Sequence, residues 1–407
     1  MFSSCPGCFG TPAASQYSAA VIWIHGLSGD ANTYHCAGTA SIASAGAASS
    51  TLSLTPWFGD EQIRLSEWGG SGAAKNVSVF WSSSRWLSGG DNSPSPSRFT
   101  TSFDALDDLV ACLAAGFLNL ERVTVVGFSA GAQLSSRWAF FSDRVSSSGA
   151  HGGGGLRGNG RGGGEDDMNA RRSVGSGGKI ASADRATHGR SLHVRAVVSD
   201  PSSYLYLDGR RPSSACSPPR NTGDAWACSQ FATPSAEASC DDTYDDYKYG
   251  LAHLEQQTSN LYLATRYAAN ASALEAAVAA FPHRDVRYLL GTQDACNCNA
   301  EAYANDAGCY PDGVAASGCS PNAHGAALHG HGCCDTYPDS TSENALSVTC
   351  ASNLQGSNRL QRGRNFLSYI NELAPEAAPT VASFVGGHNA SAMIFSAELA
   401  SWAFALP

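Results

Sequence analysis

The run Gly127-Phe128-Ser129-Ala130-Gly131 carries the strongest chemical signal in this chain. It fits the pattern G-x-S-x-G, follows the apolar stretch Arg122 to Val126, and precedes a segment, Ala130 to Phe141, that reads as a helix. A serine on so tight a strand-to-helix turn stands clear of the sheet with its hydroxyl exposed to a reactant. Gly127 and Gly131 leave room where strand and helix approach closely, and the helix start adds partial positive charge beside the reacting centre. The bland alternative is a tight turn whose serine only caps the helix. A hydroxyl is a weak nucleophile, so chemistry at Ser129 needs a base to take its proton and a third group to orient that base.

With this motif in this setting the chain resembles the α/β-hydrolase superfamily, over most of its ordered length. The resemblance implies the chain order serine, acid, histidine. Asp294 follows the apolar run Val286 to Leu290, and His388 follows Val381 to Val385. Both sit just past a strand end, where open α/β sheets place their sites. Of the 11 histidines, His151 and His188 fall in a Gly-rich stretch and His324, His329 and His331 in a Cys-rich one. His35, His253 and His283 follow no apolar strand, and His193 precedes one. Asp200 also ends a strand, Val194 to Val198, and is the alternative acid, although Pro201 follows it directly and a turn-forming aspartate is the plainer reading. Asp294 is favoured because it holds the usual place.

The sequence His25-Gly26-Leu27 closes the first apolar run and looks like the superfamily's oxyanion turn. The resemblance implies that the backbone N–H groups of Leu27 and Ala130 hold the developing oxyanion, with Gly26 allowing close approach and His25 supporting the turn rather than acting as base. The implied activity is cleavage of a carboxylic ester through an acyl-enzyme, with no metal or other cofactor, on a small-molecule or lipid-like ester. Two alternatives stay open: a serine peptidase or amidase of the same fold, and a non-catalytic binding protein on the hydrolase scaffold. The segments Pro201 to Tyr206, Tyr247 to Leu251, Gln355-Gly356 and Arg362-Gly363 also look like α/β-hydrolase segments, without indicating a substrate.

These residues need a parallel sheet to hold them. Apolar or β-branched runs at Ala19–Ile24, Val77–Trp81, Arg122–Val126, Val194–Val198, Val286–Leu290 and Val381–Val385 read as strands buried on both faces. Helical spacing appears over Ser102 to Ala115, Ala130 to Phe141, Asn358 to Glu372 and Ser391 to Ala403. Strands alternating with helices predict a mostly parallel central sheet with helices on both faces. The expectation is one α/β-hydrolase domain over residues 1–407, whose first strands are short of the usual set. Long loop insertions interrupt it: a disordered Gly-rich one over 146–190 and a Cys-rich one over 296–350, with a cap over 201–267.

Composition limits the partners. The chain has 407 residues, is 43% hydrophobic and carries a formal net charge of −10, which disfavours nucleic acid and anionic membranes. No run of about 18 apolar residues predicts a transmembrane segment. The 14 cysteines point to disulfides and a secreted or endomembrane-lumen setting, whereas the N-terminal Met1 to Pro6 shows no basic or apolar signal region. His324, His329, His331, Cys333 and Cys334 resemble metal ligands but match no zinc spacing. Cys5-Pro6-Gly7-Cys8 lacks the setting of a redox motif. Sequons occur at Asn76, Asn270 and Asn389, and a glycan on Asn389 would crowd His388, so that site is expected to be unmodified. The aromatics Trp81, Trp86, Trp226, Tyr204 and Tyr206 suit a pocket or a core equally.

Overall fold

The computed structural model describes residues 16–59, 79–81, 83–93, 100–148, 192–213, 228–235, 240–257, 260–268, 270–292, 294, 346–347, 349–356 and 358–404. In chain order the elements begin with strand β1 (Ala19–Ile24), helix α1 (Ala31–Ser44), β2 (Thr51–Leu54) and α2 (Ser102–Gly116). Next come β3 (Arg122–Phe128), α3 (Ala130–Phe141), β4 (His193–Ser199) and the short pair β5 (Arg211–Pro212) and β6 (Phe231–Ala232). They continue with α4 (Ala271–Ala280), β7 (Val286–Gly291), α5 (Arg359–Leu373), β8 (Thr380–Phe384), α6 (Ala390–Ile394) and α7 (Ala397–Ala403).

Six strands form one sheet in the order β2-β1-β3-β4-β7-β8, every neighbouring pair parallel. Alternation along the strands shows why both faces are covered. In β1, Ala20, Ile22 and Ile24 join the core beneath α2, α3, α4 and α5, while Val21 and Trp23 join the core beneath α1, α6 and α7. A strand with both faces buried needs apolar residues at successive positions, and β1, β3 and β4 are buried throughout. The chain passes outward from β1 to β2, returns across β1 to β3, and then adds strands in one direction. Its switch point therefore lies between β1 and β3, and the crevice at their C-terminal ends is where such sheets bind ligands. The architecture is consistent with an α/β-hydrolase fold.

Five of the expected strands are present, β1 with the expected ends and the others with ends shifted by one or two residues. The remaining one is not: of Val77 to Trp81, the described residues Val79, Phe80 and Trp81 lie outside every strand. The sheet's edge beside β1 is β2 instead, four residues whose side chains are mostly half-buried. The expected closing helix is two helices, because α6 ends at its C-cap Phe395 and the Ser396 hydroxyl accepts the Leu399 N–H to start α7. The helices α1 and α4 have no counterpart among the expected ones. Trp81, Trp86, Tyr204 and Tyr206 are core residues, and Trp226 lies outside the described residues.

The Gly-rich segment beyond Ser148, the Cys-rich segment over 295–345 with its three histidines, Asn76 and the first cysteines also lie outside the described residues. A disulfide joins Cys240 to Cys350, which is consistent with an oxidising compartment. Among the described residues no helix is long and apolar enough to cross a membrane. Among the same residues no group of three or more His, Cys, Asp or Glu is placed to hold a metal ion.

Candidate active site

Ser129 sits between the last residue of β3 and the first of α3, with φ +55° and ψ −114°. That sharp turn is closed by backbone packing. A Cβ added at Gly127 would collide with the Gly131 carbonyl and Ser135 Oγ, and one at Gly131 would collide with the carbonyls of Ile24 and His25. The start of α3 therefore lies directly against the end of β1. Ser129 precedes the helix, yet its side chain accepts no capping hydrogen bond, so helix capping does not explain the residue.

The hydroxyl faces His388 instead. His388 Nε2 and Ser129 Oγ are 2.8 Å apart, and His388 Nδ1 and Asp294 Oδ2 are 2.7 Å apart. A carboxylate only accepts, so Nδ1 carries the ring proton and Nε2 is left to accept the Ser129 O–H, a tautomer assigned from the partners. All three side chains are buried. The Phe128 ring stacks on the imidazole with centroids 4.6 Å apart. Burial lowers the imidazole pKa from its ordinary value, the Arg359 guanidinium lowers it further, and Asp294 partly offsets both. The outcome favours a neutral imidazole, the form that can accept a proton.

Asp294 is reached through β7: its N–H donates to the Gly291 carbonyl at 3.1 Å, and its own carbonyl accepts the Leu360 N–H at 3.0 Å. This last bond brings the start of α5 to the site and sets Arg359 Nη1 3.8 Å from Asp294 Oδ1, with both side chains buried. Arg359 is a site residue that the sequence reading missed. The Cys-rich segment separates it from Asp294, and no local motif marks it.

Asp200, the other candidate acid, lies at the end of β4 with φ +49°. Its carboxyl accepts the Gly291 N–H at 3.0 Å and the Ser199 hydroxyl at 3.4 Å, and among the described residues it makes no bond to His388. Burial, and then the charge of Asp294, push its pKa well above the usual carboxylate range. Burial and the neighbouring Asp294 thus disfavour the ionised form of Asp200, and Asp294 is the carboxyl that meets His388.

The turn His25 to Leu27 is fixed by its histidine. His25 Nε2 accepts the Phe58 N–H at 2.9 Å, so Nδ1 donates to the Gly26 carbonyl at 2.7 Å. With both ring nitrogens engaged and the ring wholly buried against Trp86, His25 holds the turn and has no free nitrogen for a substrate proton. Leu27 is 43% exposed. Among the described residues the N–H groups of Leu27 and Ala130 donate to no protein acceptor. Two unused donors at adjoining turns beside a serine hydroxyl could receive a developing negative oxygen.

Two other described histidines are paired elsewhere. His193 pairs with Asp285 at the opposite end of the sheet, and His253 with Asp246 on the surface. The side chain of the Asn389 sequon caps α6 by accepting the Ala392 N–H at 3.0 Å.

No protein-family model matches the chain, and no curated protein matches it. Among solved structures it is similar to poly(aspartic acid) hydrolase-1 from Sphingomonas sp. KT-1, at 15% identity and a TM-score of 0.43, over 93% of this chain and 86% of that one. It is also similar to LpqC, a poly(3-hydroxybutyrate) depolymerase from Bordetella parapertussis, at 12% identity and a TM-score of 0.43, over 97% of this chain and 80% of that one.

Proposed function

We propose that the chain is a serine hydrolase that cleaves a carboxylic ester through an acyl-enzyme. The observation that carries the reading is the hydrogen-bonded series Asp294–His388–Ser129 at the C-terminal edge of the sheet. In the proposed reaction His388 takes the Ser129 proton as Ser129 Oγ attacks the acyl carbon. The N–H groups of Leu27 and Ala130 stabilise the oxyanion. The imidazolium then returns the proton to the departing alcohol, and a water activated by His388 releases the acid. Asp294 orients the ring and stabilises its charged form. The segments between Pro201 and Tyr267 would form the cap over this cleft.

An ester is favoured over an amide because an alcohol leaves with less protonation than an amine needs. The test is hydrolysis of p-nitrophenyl esters of graded acyl length by wild type and Ser129→Ala. Turnover by wild type that the variant loses supports the proposal. Absence of turnover by the folded wild type at every length refutes the simple esterase, and peptidyl amides then separate a peptidase from a scaffold without chemistry.

A further inference from the structure

Of the six buried arginines among the described residues, three face a carboxylate: Arg195 pairs with Asp285, Arg211 with Asp245 and Arg359 with Asp294. Arg137 does not. It lies on α3 about two turns beyond Ser129, is 1% exposed, and donates only to neutral oxygens. Its acceptors are the Leu87 carbonyl at 2.9 Å, the Lys248 carbonyl at 3.3 Å, Gln133 Oε1 at 3.2 Å and Ser203 Oγ at 2.9 Å. Three of these four segments adjoin the candidate site. The Gln133 N–H donates to the Ser129 carbonyl, Ser203 follows Asp200 past the end of β4, and Leu87 follows the Trp86 that packs on His25.

Two further cations adjoin Arg137: Arg362 bonds Ser202 next to Ser203, and Lys248 gives Arg137 its carbonyl. Arg362 is fully buried and donates to the carbonyls of Gly356 and Ser202 and to Asn353 Oδ1. Lys248 is half-buried, with its ammonium 5.6 Å from the centre of the Tyr249 ring, and among the described residues it has no hydrogen-bond acceptor and no carboxylate partner. Burial, and then Arg137, lower the Lys248 pKa, and burial lowers that of Arg137. A cluster of three cations without a carboxylate partner among the described residues is anomalous in a chain of net charge −10, and unpaired buried charge is unfavourable in itself.

We propose that this cluster binds an anion, and that the substrate is an ester carrying a free carboxylate, which Lys248 contacts from the solvent side while Arg137 reinforces the field from behind. The proposal rests on the serine-hydrolase reading for its reaction and on the three cations for its charge. Lys248 is the specificity residue. Arg137 also clamps four segments together, so it is a poor site for a test.

The experiment compares mono-p-nitrophenyl glutarate with p-nitrophenyl butyrate, which share a leaving group and differ in the terminal carboxylate. Wild type is expected to favour the glutarate in kcat/KM by roughly tenfold or more, the worth of one charge-assisted hydrogen bond, and Lys248→Met to reduce that ratio by about as much. A wild-type ratio near one, or a ratio that Lys248→Met leaves unchanged, overturns the proposal. Calorimetric titration of glutarate itself into wild type and Lys248→Met needs no turnover. Binding that the variant loses supports the anion site, and no binding or equal binding overturns it. Glutarate binding through Lys248 with neither ester cleaved would keep the anion site and refute the hydrolase.

Discussion

Replacing Asp294 by asparagine is the sharpest test of the division between the two buried carboxyls. The side chain keeps its shape, but the new amide can turn its N–H toward His388 Nδ1. That nitrogen must then accept, the ring proton moves to Nε2, and Nε2 can no longer take the proton of the Ser129 Oγ 2.8 Å away. Losing the correct tautomer lowers kcat by roughly 10⁴ in a Ser-His-Asp triad, and a loss of that order is expected here. Stability changes as well, because Arg359 loses the charge 3.8 Å from its Nη1. Breaking one partner of a buried pair costs about 3–5 kcal/mol. The Asp294–Arg359 contact is 3.8 Å rather than a close pair, so the loss should fall at the lower end, about 3 kcal/mol. Steady-state kinetics on a p-nitrophenyl ester, with urea denaturation of the same preparations, gives both numbers. A kcat within about tenfold of wild type would refute the assignment of Asp294. Asp200→Asn is the control, expected to retain activity within that margin, and the reverse pattern would move the orienting role to Asp200.

Other perturbations follow from the same contacts. Arg359→Met removes a cation that disfavours the imidazolium, so the His388 pKa rises and the acid limb of kcat/KM moves to higher pH; an unmoved or lowered limb contradicts this. Gly131→Val drives side-chain carbons into the Ile24 and His25 carbonyls, and should lower stability by at least about 1–3 kcal/mol and abolish turnover; normal folding and turnover would refute the tight contact. Asp107 accepts Trp138 Nε1 at 2.9 Å, Ser142 Oγ at 2.5 Å and Tyr262 O–H at 2.9 Å, all buried. Asp107→Ala strands three donors and should cost about 3 kcal/mol or more in denaturant unfolding, with Asp107→Asn much milder; equal effects of the two would count against the network.

The parts of this fold that the sequence discloses are those with a strong local pattern. β1, β3 and β4 are apolar on both faces and end beside histidine, serine or aspartate, so the runs and the site residues just past them can be read together. β2 is invisible because an edge strand of four half-buried residues, Thr51 to Leu54, has neither the run nor a clear alternation. α1 is invisible because it packs through Ala31, Tyr34, Gly38, Ser41 and Ile42, mostly small residues that make no apolar stripe. Val77 to Trp81 misleads for the opposite reason, since Trp81 is buried by packing against Phe58 rather than by strand pairing. At the site, Ser129, Asp294 and His388 each follow a strand, whereas Arg359, Arg137 and Lys248 arrive from α5, α3 and a loop. Only the tertiary fold tells which of the buried cations have a carboxylate opposite them.

The backbone of Ser129 has a consequence for how this chain can change over time. A non-glycine residue held at φ +55° and ψ −114° stores of order 1–3 kcal/mol that the surrounding turn must supply. Glycine would relieve that strain, so the position sets stability against activity: the more stable chain is the one without a hydroxyl. If Ser129 is the nucleophile proposed above, drift toward stability alone would remove it, and a chain that keeps serine there keeps a less stable residue for its chemistry.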